Sequence, residues 1–151
     1  MKILFSLESI RMIKDVTSIR VRYQETDKMG IAYHGNYFTW MEVARIHLLD
    51  SINCPYPKLE DAGYFLPVIN CSCEFKNPAK FDDRIEIEVC LSELGQVRIN
   101  LDYTLRRDEL ILARAKTSHA FVNEHGKVVR PPRDFIINAA GGSTIGNKEK
   151  N

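Results

Sequence analysis

No run in this 151-residue chain is apolar for long enough to span a bilayer. Charge of one sign is lacking too: 21 Lys and Arg stand against 20 Asp and Glu, for a net charge of +1. That balance gives no electrostatic footprint for nucleic acid or for an anionic membrane surface. There are four cysteines, Cys54, Cys71, Cys73 and Cys90, and no C-x2-C knuckle, so a zinc site is not expected. A chain of this size needs no disulfide staples and shows no export signal, so all four are read as reduced thiols of a cytoplasmic protein. The sequence has no G-x-S-x-G elbow, no P-loop, no G-x-G-x-x-G and no H-E-x-x-H. His47, His119 and His125 are scattered, and His119 reads as a packed or interface histidine.

What is present is an ordinary globular composition, 44% hydrophobic and 27% charged, in a length suited to one domain. "MKILFSL" imitates the start of a signal peptide, but Glu8 and Arg11 soon interrupt it and no small-residue cleavage site follows. Residues 1–16 are therefore read as an extension, with Met12 as an alternative start. The domain is expected over 17–138, and the aperiodic tail 139–151 is expected to be disordered.

Residues 17–24 alternate, with Ile19, Val21 and Tyr23 on one face, as in a half-buried strand. Asn36 is a good N-cap for a helix to about Asp50, with Tyr37, Trp40, Met41, Ala44 and Leu48 as its apolar stripe. Pro55 and Pro57 end that element, and Lys58–Ala62 makes a short turn closed by Gly63. Four strand patterns follow, at 65–75, 83–92, 96–107 and 110–122. Their short connections favour antiparallel neighbours. The order, one strand, one long helix and four strands, predicts an α+β layer architecture. One helix of about 22 Å cannot cover five strands, so a second copy is expected against the uncovered sheet or an unpaired edge.

The chemistry gathers at "YQETDKMGIAYHGNYFTWMEVAR", residues 23–45. A helix start offers unpaired N–H groups and a positive dipole end, which can polarise a carbonyl. Asp27, in the loop feeding the helix, can act as base or nucleophile, and His34 can donate a hydrogen bond or move a proton. Gly35 would let a ligand approach the backbone closely. The plainer roles are a turn for Asp27, a backbone-bonded loop position for His34 and a surface charge for Glu25. At this level acyl transfer and other carbonyl chemistry are not distinguished.

The same stretch resembles the hotdog-fold acyl-CoA thioesterases of the 4-hydroxybenzoyl-CoA thioesterase class, in particular their YbgC-like branch. The family pattern, T-D-x-x-G-x-x-Y-H-x-N-Y ahead of a helix carrying A-R, is met by Thr26, Asp27, Gly30, Tyr33, His34, Asn36, Tyr37, Ala44 and Arg45. "GYFLPVINCSCEFKNPAKFDDRIEI" and "GKVVRPPRDF" extend the likeness over about 17–136. The resemblance implies a five-stranded antiparallel sheet wrapped around one central helix, paired as a homodimer or tetramer. It implies a substrate that is an acyl thioester of coenzyme A or of an acyl carrier protein, and no metal or bound cofactor. Asp27 would be the catalytic carboxylate, and His34 would stand where a backbone N–H meets the thioester carbonyl. Tyr33, Gly35 and Asn36 would line the substrate. Arg130 and Arg133, with Lys76 or Lys80, are candidates for the phosphates of coenzyme A. Two other readings compete. A hotdog dehydratase would carry an H-F-P-type motif, which the sequence lacks, and a non-catalytic acyl-CoA-binding module would be expected to lack the carboxylate or to carry a DNA-binding segment.

Overall fold

The computed structural model describes residues 13–140. The expectations for 1–12 and 141–151 lie outside those residues. Five strands, β1 (Lys14–Arg20), β2 (Val68–Phe75), β3 (Arg84–Leu94), β4 (Arg98–Arg107) and β5 (Leu110–Ala120), form one antiparallel sheet in the order β1-β3-β4-β5-β2. Three helices, α1 (Asn36–Ser51), α2 (Tyr56–Asp61) and α3 (Arg133–Ala139), accompany it.

The period-two pattern of β3 and β4 sets the register. Ile85, Ile87, Val89 and Leu91 share the inner face with Ile99, Leu101, Tyr103 and Leu105, all of them buried. The helical stripe Tyr37, Trp40, Met41, Ala44, Leu48 and Leu49 covers that face, with α1 resting over β1 and β3. Cutting Trp40 or Met41 back to alanine would cost about 2–5 kcal/mol in lost contacts and cavity. The hotdog arrangement expected from the sequence is therefore the observed one.

A buried polar chain ties α1 to the sheet beneath it. The Arg45 guanidinium donates to the Tyr103 hydroxyl at 3.3 Å. Tyr103 and Thr117 meet at 2.8 Å, Thr117 and His119 Nε2 at 2.9 Å, and His119 Nδ1 and the Leu66 carbonyl at 3.3 Å. A carbonyl can only accept, so Nδ1 carries the proton and Nε2 is the acceptor. Thr117 then donates to His119, and Tyr103 donates to Thr117. Burial above all, and the Arg45 charge beside it, push the His119 pKa down to about 4, which keeps the ring neutral. His119 is thus the packed histidine that the pattern suggested.

Several details differ from the sequence reading. β1 begins at Lys14 and ends at Arg20, so it includes residues assigned to the extension and stops short of Tyr23. Residues Tyr23–Glu25 instead make a 3-10 turn, which swings Tyr23 out to 77% exposure. β2 starts only at Val68, after Pro67, whose missing N–H cannot join a ladder. α3 was not anticipated. It starts behind the Pro131-Pro132 pair and packs Phe135 on Phe121 with ring centroids 5.0 Å apart. Its last residue, Ala139, is fully buried.

The two edges of the sheet are treated differently. β1 lies under α1 and keeps a half-buried inner row, Asp15, Thr17 and Ile19. β2 is exposed along nearly its whole length, and Val68, Ile69 and Phe75 are each about half exposed.

Candidate active site

The loop between β1 and α1 folds back on itself. Thr26 and Ala32 pair across it, Gly30 turns it at φ +78°, and the Ala32 N–H donates to the Ala79 carbonyl at 2.7 Å. Ile31 pairs with Lys80 in the segment that follows β2. Between the two segments lies a cleft of about 420 Å³, lined by Asp27, Met29, Ile31, Ala32, His34, Tyr37 and residues 75–78. Asp27 and His34, the two residues expected to carry the chemistry, therefore face one space.

Asp27 has a turn role and a free oxygen at once. Its Oδ1 accepts the Met29 N–H at 2.8 Å and the Ile31 N–H at 3.4 Å. Its Oδ2 accepts no hydrogen bond among the described residues. One oxygen fixes the carboxylate and the other is left for chemistry.

The start of α1 differs by one residue from expectation. Gly35, not Asn36, holds the cap position, already in helical conformation at φ −60° and ψ −27°. The Asn36 N–H donates to the Tyr33 carbonyl and the Tyr37 N–H to the His34 carbonyl. The N–H groups of His34 and Gly35 donate to nothing among the described residues. The Gly35 N–H is an orphan donor of the helix N-terminus, and His34, the residue before the cap, lines the cleft. Asn36 uses its side chain elsewhere, donating from Nδ2 to the Glu25 carbonyl at 2.8 Å. A Cβ on Gly35 would stand 3.0 Å from the Tyr33 ring, so its smallness serves packing of that ring.

The rings of His34, Tyr37 and Phe75 line one wall, and Tyr33 stands behind them, outside the lining. Tyr33 lies on the His34 ring at 4.3 Å, and Phe75 meets His34 at 6.3 Å and Tyr37 edge-on at 4.9 Å. Burial is the main cause that raises the Tyr37 hydroxyl above its usual pKa. The cleft's lining includes one cation, Lys76, whose Nζ is 3.6 Å from Glu74. Arg130 and Arg133 are exposed and outside this lining, Arg133 at the first residue of α3.

Glu25 is not a surface charge. It is 4% exposed, and its carboxylate accepts from the Arg22 N–H and the Trp40 indole, each at 2.8 Å. Desolvation is the largest single influence on it and acts upward. The Arg22 N–H, the Trp40 N–H and the Arg22 guanidinium together outweigh it and hold the carboxyl below its usual pKa. One signal pointed there: a buried indole N–H needs an acceptor.

Residues 21–139 match the model of the thioesterase-like superfamily. The acyl-CoA thioesterase YbgC of Haemophilus influenzae is 30% identical over 106 residues, 70% of this chain and 78% of that protein. A hypothetical protein of Aquifex aeolicus superposes with a TM-score of 0.80 at 34% identity, covering 83% of this chain and 98% of that one. The DHNA-CoA thioesterase of Staphylococcus aureus superposes at 0.82 with 26% identity, covering 93% and 97%. With a matching family model over most of its length and the same sheet-and-helix frame, the chain belongs to the thioesterase-like superfamily of hotdog proteins.

Proposed function

We propose that this protein hydrolyses the thioester bond of an acyl-CoA, releasing the free acid and coenzyme A. One observation carries the reading: Asp27, with one unengaged carboxylate oxygen, and His34, with an unengaged N–H at the helix start, line the same cleft, and the unengaged N–H of Gly35 is next in the chain. The thioester carbonyl oxygen sits at the N–H of His34 or Gly35, where the helix end stabilises the developing oxyanion. Asp27 either attacks the acyl carbon with its own carboxylate oxygen or takes a proton from a water whose oxygen attacks. Either route expels the thiolate of coenzyme A. Water then opens the mixed anhydride if Asp27 has attacked. The His34 ring and Tyr33 flank the acyl group, Gly35 and Asn36 shape the helix start, and the apolar lining takes the acyl chain.

Lys76 is the cation best placed for an anionic part of the substrate, because it lines the cleft. Arg130 and Arg133 are assigned to the phosphates farther out. The open β2 edge, with half-exposed Val68, Ile69 and Phe75, supports pairing with a second copy, and Phe75 belongs to the cleft as well. The protein therefore works as a homodimer or a higher even assembly. Among the described residues no helix is long and apolar enough to cross a membrane. Cys54, Cys71 and Cys73 are free thiols, which fits the reducing cytoplasm.

A panel of acyl-CoAs, aromatic, short-chain and long-chain, with released thiol as the readout, tests the assignment. Hydrolysis of at least one class, saturable in substrate, is expected. Binding of acyl-CoA without release of thiol from any member would favour the non-catalytic module.

A further inference from the structure

Glu25 is buried and charged two residues before Asp27, and the proposed chemistry does not use it. Its bonds run in two directions. The carboxylate reaches α1 through the Trp40 indole at 2.8 Å and closes its own turn through the Arg22 N–H at 2.8 Å. Its main-chain carbonyl accepts the Tyr33 N–H at 2.8 Å and Asn36 Nδ2 at 2.8 Å. One residue thus holds the first strand of the loop, the returning strand at Tyr33, the first turn of α1 at Asn36 and the second turn at Trp40. Asp27 and the orphan N–H groups of His34 and Gly35 lie between those anchor points. A buried ionised carboxylate is retained only where donors meet both its oxygens, and here they do.

We infer that Glu25 is a positioning residue that fixes the distance and angle between the Asp27 carboxylate and the N–H groups at the start of α1. It touches no substrate. This inference rests on the thioesterase reading, and it adds a second carboxylate whose role is geometric. Glutamine at position 25 has the shape of glutamate but a single acceptor oxygen, so one of the two donors would face an NH2 group. The volume is kept and one anchor is lost. Loosening a reacting pair by a fraction of an ångström lowers turnover while substrate binding elsewhere persists.

The test compares wild type, Glu25→Gln, Asp27→Asn and the double variant on one acyl-CoA, with kcat and KM measured separately and folding checked by circular dichroism. Glu25→Gln should lower kcat by about 10- to 100-fold with KM within about twofold. In the Asp27→Asn background the same change should alter the residual rate by less than about twofold, because the group it positions is gone. Trp40 is the sole tryptophan, so its indole N–H gives one proton–nitrogen cross-peak, which should move upfield in Glu25→Gln as the charged acceptor is lost. A Glu25→Gln protein with a shifted indole peak and native kcat overturns the inference. So does an equal loss in both backgrounds, which would mean that Glu25 acts on its own. If Glu25→Gln does not fold, Trp40→Phe removes the same anchor from the other side; a drop in kcat at unchanged KM supports the inference and a native kcat overturns it. Asp27→Asn turning over at the native rate would instead sink the thioesterase reading, whatever Glu25 does.

Discussion

The turn at 23–25 and the turn at 27–31 adjoin in the chain and hold their carboxylates in opposite ways. Glu25 is buried, meets a donor at each oxygen and is bound to the helix it faces. Asp27 is half-exposed, spends one oxygen on its own turn and leaves the other open to the cleft. A carboxylate with both oxygens engaged has little left to offer a substrate, whereas a fixed carboxylate with one open oxygen is ready to react. On the proposed function, holding and reacting are separated within three residues, and substitutions that exchange or remove these features should have unequal effects.

The largest effect is expected at Asp27. Asp27→Asn keeps the Oδ1 turn contacts and removes the anionic oxygen, so kcat should fall on the order of 10²- to 10⁴-fold, read by thiol release, while the thermal midpoint stays near wild type. Trp40→Phe should also lower kcat, by less, and unlike Asp27→Asn it should lower stability as well. It leaves one Glu25 oxygen buried without its donor and should cost about 1–3 kcal/mol of folding stability in urea titration.

Acidification should distinguish two buried groups, Glu25 and His119. Glu25 has a folded pKa below its usual value, so its stabilisation is present above the usual carboxylate pKa and is lost as pH falls through the folded pKa. His119, at about 4 against 6.5, also favours the folded state at neutral pH, but its contribution is lost earlier, as pH falls from 6.5 towards 4. Stability measured against pH should therefore lose its slope between 6.5 and 4 in His119→Gln, and only its lower, more acidic slope in Glu25→Gln. The smallest effect is expected at Lys76, an exposed cation on the cleft. Lys76→Ala should raise KM about two- to fivefold and weaken its salt dependence, as for a screened surface charge.

How much of this was legible in the sequence depended on which physical signal each residue carried. Ile85 to Leu91 and Ile99 to Leu105 alternate because one face of each strand is buried, so sheet, register face and helix stripe were readable from periodicity alone. Asp27 and His34 were legible as candidates through their place before a helix, and the resemblance raised them above their neighbours. Glu25 was misplaced because a 3-10 turn of three residues broke the alternation after Arg20 and turned Tyr23 outward in its stead. The cap moved from Asn36 to Gly35 because the Asn36 amide is drawn to the Glu25 carbonyl. α3 has only seven residues, too few for a periodic signal, although Pro132 at its start and Phe135 and Ala139 at i and i+4 were available. Arg130 and Arg133 were proposed because phosphates want basic partners, and the sequence carried no distance from Asp27; they lie outside the cleft lining.

The central claim is that the open oxygen of Asp27 reacts. Mixing Asp27→Asn with the best acyl-CoA substrate, and measuring affinity by calorimetry and the thioester by recovery after hours, tests it most directly. The account predicts affinity within a few-fold of the wild-type KM, an unchanged fold and thioester loss on the order of 10²- to 10⁴-fold slower than wild type. Release of free thiol at the wild-type rate by the folded variant would contradict it.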